Sequence, residues 1–256
     1  MNILADAVAT APRNPWAREI RYEFLRLLRT PGFALPTLLF PPMFYVLFAL
    51  LLPMGRSGNW QAAHYLLATY TVFGVMAPGL FGFGATVAVE REQGWLRLKR
   101  AAPMPAGAWL LAKAVMAVGF ALLVFAIMAA LAAGAGGVRL PASAWLALAA
   151  VAGLGVLPFC AAGLWIGLVA SAQAAPAIVN LVYLPMAFLS GLWFPLMLLP
   201  APVQAMAPLW PAYHLGQLAL AAVGQGSSSA PALHALALLA FGGVFAGLAA
   251  RALRRA

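Results

Sequence analysis

Charge is what this chain has least of. Only 8 % of its 256 residues are charged, and five of these are acidic: Asp6, Glu19, Glu23, Glu90 and Glu92. All five lie outside the apolar runs or at their edges, so no span carries a carboxylate of the kind that moves a coupling proton. Cysteine occurs once, at Cys160 inside an apolar run, which excludes a disulfide within the chain and leaves the redox compartment unreadable. Lysine occurs twice, as Lys99 and Lys113, and neither sits in the Gly-x-x-x-x-Gly-Lys-Ser/Thr pattern that cradles nucleotide phosphates. The three histidines, His64, His214 and His234, stand far apart without metal-ligand spacing, so no metal site is expected. A net charge of +10 would fit a nucleic-acid binder. The basic residues, however, flank apolar runs and form no stripe interleaved with aromatics, so no nucleic-acid partner is expected.

Apolar residues are abundant, at 65 % of the chain. About 20 of them cross a bilayer core as a helix, and a soluble protein could not cover its surface with so few charges. The expected fold class is therefore all-α, a polytopic membrane protein. Six spans are expected, near 33–54, 63–89, 108–133, 144–170, 175–199 and 231–250. The first carries Pro36, Pro41 and Pro42 and should kink, while the second is rich in glycine around Pro78-Gly79, which permits close helix approach. The chain divides into a polar N-terminal part (1–32), the membrane domain (33–250) and a short basic tail (251–256). No secretory signal is expected, because a charged segment precedes the first apolar run and that run is long enough to span. Thirteen of the fifteen Lys and Arg residues fall on one side of these spans, and only Arg56 and Arg139 fall on the other. That asymmetry places both termini and residues 90–105 in the cytoplasm.

Two amphipathic elements lie on that side. From Trp16 to Thr30, a helical wheel gathers Trp16, Ala17, Ile20, Phe24, Leu27 and Leu28 in one arc, with Arg18, Glu19, Arg21, Glu23, Arg26 and Arg29 around most of the remainder. This is a basic helix suited to the membrane interface. The second element follows the second span: Glu90, Arg91, Glu92, Gln93, Gly94, Trp95, then Leu96 to Arg100, closed by Pro103 and Pro105. Gly94 breaks the helix arriving from Val89, after which Trp95, Leu98 and Ala102 share one face of a short amphipathic turn. A plain basic loop would orient the spans, but it needs neither two glutamates nor a Trp/Leu edge. The stretch therefore reads as a docking element for another protein.

Residues 191–226 are apolar and uncharged, yet broken by Pro195, Pro200, Pro202, Pro208 and Pro211. Too interrupted to span and too apolar for an exposed loop, they suit re-entrant half-helices dipping back from the outer surface after the fifth span. Among polar groups near the spans, Gln173, Asn180, Tyr183, Ser190 and Gln204 are candidates to face a subunit interface.

These features in this order resemble the membrane subunits of type 2 ABC exporters, the family of bacterial drug-efflux and capsule or lipopolysaccharide permeases. The residues that carry the resemblance are Glu90-Arg91-Glu92-x-Gly94 with Pro103, then Leu184-Pro185, Ser190-Gly191-x-x-Phe194-Pro195 with Pro200, and Pro208, Pro211 and Tyr213. It covers nearly the whole chain, including the interfacial helix with Trp16, Ile20, Phe24 and Leu27; Trp95 and Arg97 depart from the small polar and acidic residues common there. The resemblance implies a permease in the bacterial inner membrane that pairs with a second permease subunit and with two cytoplasmic ABC ATPase subunits. ATP and Mg would be bound by those ATPases, with no cofactor in this chain. Glu90, Arg91, Glu92, Gly94, Trp95 and Leu98 would dock the ATPase; Ser190, Gly191, Phe194, Pro195, Pro200, Pro208, Pro211 and Tyr213 would close the outer end. An ion-coupled transporter is the alternative, with His64 and His234 as its only candidate proton carriers. A serine–histidine enzyme built on Ser190 and His234 is a further one, although Phe188 stands where an intramembrane serine protease would want glycine.

Overall fold

A computed structural model describes residues 15–52, 60–95, 98, 107–226 and 230–255. The described residues contain helices and no strand. In chain order these are α1 (Pro15–Leu28), α2 (Pro31–Tyr45), α3 (Trp60–Glu92), α4 (Ala108–Gly134), α5 (Ala142–Val169), α6 (Ala175–Leu189), α7 (Ala201–Met206), α8 (Pro211–Ala222) and α9 (Pro231–Arg255). Helix α2 runs on into a π-helical stretch, Val46–Leu51, and α7 lies between two 3-10 turns, Leu196–Leu198 and Ala207–Leu209.

Among the described residues five helices are long and apolar enough to cross a membrane: α2 with its π-helical extension, α3, α4, α5 and α9. This is a multi-pass membrane protein. The fifth expected span stops early. Helix α6 ends at Leu189, ten residues short of the expected Leu199, and its 15 residues reach only about 22 Å against a hydrocarbon core of about 30 Å. The stop is local backbone chemistry. Gly191 adopts φ +74°, its N–H bonds the Phe188 carbonyl at 3.1 Å, and the Leu192 N–H bonds the Ala187 carbonyl at 3.1 Å. This paired closure satisfies the last helical carbonyls and turns the chain away.

Helix α3 is the centre of the bundle and the most enclosed of the long helices. Its closest neighbour is α5, and the two backbones touch. A Cβ added at Gly163 would lie 2.5 Å from the Gly79 carbonyl oxygen, and one at Gly167 would lie 2.7 Å from that of Gly84. Small residues four apart let membrane helices approach this way, where no hydrophobic force separates protein from lipid. Helix α2 shows the expected disturbance. Pro41 and Pro42 each remove a backbone donor, and beyond them the helix widens, with Leu52 N–H reaching the Leu47 carbonyl at 3.0 Å. Helix α9 lies at the periphery, packed on α5 and α8.

Candidate functional site

At 33 residues α3 is about 50 Å long, longer than a bilayer core of about 30 Å requires, and Glu90, Arg91 and Glu92 stand at its C-terminal end. Around that end a cluster of charges is gathered, with Lys113, Glu23 and Glu90 buried and Arg26 partly exposed. Lys113 of α4 is wholly buried, and its ammonium donates to Glu90 at 2.9 Å, Glu23 of α1 at 3.2 Å and the Thr86 hydroxyl at 3.2 Å. Three acceptors thus meet the three N–H bonds of one ammonium. Glu90 in turn accepts from Arg26 of α1 at 2.6 Å and from the Trp109 indole at 3.1 Å. Burial alone would lower the affinity of Arg26 for its proton, but Glu23 and Glu90 outweigh it and hold the guanidinium above its ordinary value. Two acids face two bases, so the cluster is neutral as a whole, and every charge has a partner. This is the condition under which burial is tolerable.

The cluster seats α1. Leu27 packs with Met116 and Phe120 of α4, and the Phe24 ring lies 4.9 Å from that of Phe120. Ile20 and Trp16 are half-buried on the same side. The buried arc is rotated from the one the wheel gives: Glu23 lies inside it, while Ala17 and Leu28 are exposed. Placing Glu23 on the solvated face is corrected by Lys113, whose ammonium waits for it. Lys113, one of the thirteen basic residues that sequence counts on one side of the spans, is buried near the start of α4.

Beside the cluster lies a half-open cavity of about 830 Å³ between α1, α2, α3 and α6. Its polar end holds Arg26, Glu90, Thr86 and Gln93, and its walls are Phe33, Pro36, Phe40, Phe81, Tyr183 and Leu184, with Asn180 and Thr37 among them. Apolar walls with a few convergent polar groups are the usual make-up of a small-molecule site. Both flanking helices carry bare apolar faces next to it: Leu35, Leu39, Phe40 and Met43 on α2, and Ile178, Leu181, Val182 and Leu184 on α6.

The expected docking residues divide in two. Glu90, Arg91 and Glu92 spend their charges within the chain. Arg91 donates to the carbonyls of Leu168 and, at 2.8 Å, Ala170, covering the end of α5; Glu92 accepts the Ala172 N–H at 2.8 Å. Gly94, at φ +76°, ends α3 as expected. Trp95 and Leu98 remain exposed, and Leu98 N–H returns to the Gly94 carbonyl at 3.2 Å. Ala102, Pro103 and Pro105, the rest of that element, lie outside the described residues.

At the opposite end, Tyr65 donates to the Gly191 carbonyl at 2.7 Å and Tyr70 to that of Trp193 at 3.2 Å, tying the chain after α6 back to α3. Phe194 packs its ring 5.7 Å from Phe48. Pro195 and Pro200 precede the first 3-10 turn and α7, Pro208 lies in the second 3-10 turn, and Pro211 opens α8. Tyr183, expected toward a subunit interface, instead donates to the Phe73 carbonyl at 3.0 Å within the core. Ser190 is buried and its hydroxyl makes no hydrogen bond, so no serine–histidine pair forms. His214 and His234, far apart in sequence, meet with their Nδ1 atoms 2.8 Å apart. His214 Nε2 lies 2.9 Å from the Pro208 carbonyl, which can only accept. In neutral His214 the proton is therefore on Nε2, and His234 Nδ1 donates to His214 Nδ1. Among the described residues no cluster of three or more potential metal ligands forms.

Comparison with known proteins bears on the same residues. The family model described as ABC-2 type transporter matches residues 18–223. A protein of Bacillus subtilis strain 168 named as transport permease YvfS is 31 % identical over 209 residues, which cover 80 % of this chain and 84 % of that protein.

Proposed function

This chain belongs to the ABC-2 type transporter family, and on that footing we propose that it is the membrane permease of an ATP-driven exporter. The observation that carries this reading is the half-open cavity whose two flanking helices, α2 and α6, expose apolar faces beside it. A second permease subunit laid against those faces would complete the walls and give the cargo a path between subunits. The mixture of aromatic walls and one polar end fits an amphipathic, drug-like or lipid-linked molecule taken from the cytoplasm or inner leaflet. Two cytoplasmic ATPase subunits supply the energy and bind ATP and Mg, and the exposed Trp95 and Leu98 offer them an apolar contact. The segment after α6, with α7 and α8, forms the outer closure. The protein then sits in the bacterial inner membrane with both termini inside, in keeping with the distribution of its basic residues.

The test is energetic. Purified alone, the chain should hydrolyse no ATP. Reconstituted with its ATPase, it should export an amphipathic dye while ATP is present, even after an uncoupler collapses the proton gradient. Export that stops with the uncoupler at constant ATP would point to ion coupling and overturn the proposal.

A further inference from the structure

A second concavity, of about 510 Å³, lies between α5 and α9 at the end of the bundle where Arg91 caps α5. Arg91 and Arg251 line it together with Trp165, Leu168, Val169 and Leu248. Among the described residues its lining holds two guanidinium groups and no carboxylate; Glu92, next in sequence, is not among its lining residues and is engaged by the Ala172 N–H. Three helices, α3, α5 and α9, end here, and their C-terminal carbonyls alone would repel an anion. Arg91 sits on the carbonyls of α5, and that anchors its guanidinium, with two of five N–H bonds used and three left over. Arg251 is exposed at the mouth. Trp165 stacks edge-on against Phe245 at 5.4 Å, the kind of amphipathic ring found at headgroup depth. Toward the bilayer the two helices present exposed aliphatic residues, Val169 and Leu154 on α5 and Val244 on α9.

We propose that this groove binds the phosphate of an anionic phospholipid, with Arg251 and Arg91 holding the headgroup and the aliphatic faces of α5 and α9 receiving the acyl chains. Basic pockets between membrane helices suit such headgroups. A phosphodiester matches paired guanidinium groups, and a peptide would leave the lipid-facing aliphatic surface uncovered. Neither ATP, the cargo nor a partner subunit enters the argument, so it stands apart from the transport reading.

Native mass spectrometry of the detergent-purified full chain tests it, with dioleoyl-phosphatidylglycerol, dioleoyl-phosphatidylcholine and inorganic phosphate as separate probes. Phosphatidylglycerol should be retained and phosphatidylcholine should not. Arg251→Gln should weaken phosphatidylglycerol binding about fivefold, the effect of one basic contact near the surface. Arg254→Gln, with the same loss of charge outside the groove, should leave it unchanged. Equal losses in the two variants would mean a diffuse basic surface and overturn the site. Inorganic phosphate competing at equal strength would make it a free-phosphate site and overturn the lipid. A groove that ignores phosphatidylglycerol, yet releases the ATPase when Arg251 is changed, would be a protein contact and would overturn it too.

Discussion

Lys113 and Glu90 form an ion pair 2.9 Å long in the interior of the protein, joining the start of α4 to the end of α3. Removing one partner leaves a charge with no water and too few partners, which costs about 3–5 kcal/mol in comparable buried pairs. Lys113→Met should therefore lower the thermal unfolding temperature in detergent sharply. Combining it with Glu90→Gln restores the balance of charge, and the double variant should be more stable than the sum of the single effects. A Lys113→Met protein as stable as the wild type would show that the cluster is not what holds α1, α3 and α4 together.

The second prediction concerns Gly163. Its Cβ position is occupied by the backbone of α3, so Gly163→Leu must push α3 and α5 apart. Folded yield should fall severely. At Gly243, with open space around it, the same leucine should be tolerated. Comparable size-exclusion profiles for the two variants would contradict the backbone contact.

Leu98 supplies the third. Exposed beyond Glu90, Arg91 and Glu92, whose charges are used within the chain, it can be changed without touching the bundle. Leu98→Asp should insert and fold normally but lose co-purification with the ATPase, since a buried interface anchor is worth about 2 kcal/mol or more. Unchanged co-purification and transport would leave this stretch only a role in orienting the spans.

The histidine pair gives the fourth. His234→Phe keeps a ring beside Tyr213 but leaves the His214 Nδ1 lone pair unmatched. The loss should be about 1 kcal/mol, the usual net worth of one hydrogen bond, seen as a small drop in unfolding temperature. A stabilised variant would mean that α8 and α9 are held by packing alone.

Orientation can be read with thiol reagents, because the native Cys160 is buried and gives little background. Arg139→Cys should react with a membrane-impermeant maleimide in intact cells, and Arg254→Cys only after permeabilisation. The reverse pattern would invert the topology.

Much of this was legible in the chain, for identifiable reasons. Long apolar runs locate α3, α4, α5 and α9 because crossing hydrocarbon demands them. The end of α6 was misplaced because residues 192–199 are as apolar as a span, and hydropathy does not register the left-handed turn at Gly191. Glu23 was assigned to the wet face because a wheel gives an arc of a helix but not its rotation against a neighbour. That rotation is set by Lys113, 90 residues away. The meeting of His214 and His234 likewise depends on how α8 and α9 fold back, and spacing alone does not encode it. One signal was present and readable: Gly163 and Gly167 stand four apart in α5, the pattern that lets helices touch.

That contact divides the molecule mechanically. Where Gly163 and Gly167 of α5 meet the carbonyls of Gly79 and Gly84 in α3, backbone lies on backbone and leaves little room to slide or repack, which favours the two helices moving as one post. Any stroke of the transport cycle must be taken up elsewhere: in α2, already loosened by its prolines and widened turn, and in the short α6, which stops before the far side. The cavity lies between these parts, with α3 as its fixed wall and α2 and α6 as its movable ones. If α2 and α6 act as shutters on that frame, a crosslink from α2 to α6 should arrest the cycle where one from α3 to α5 would not.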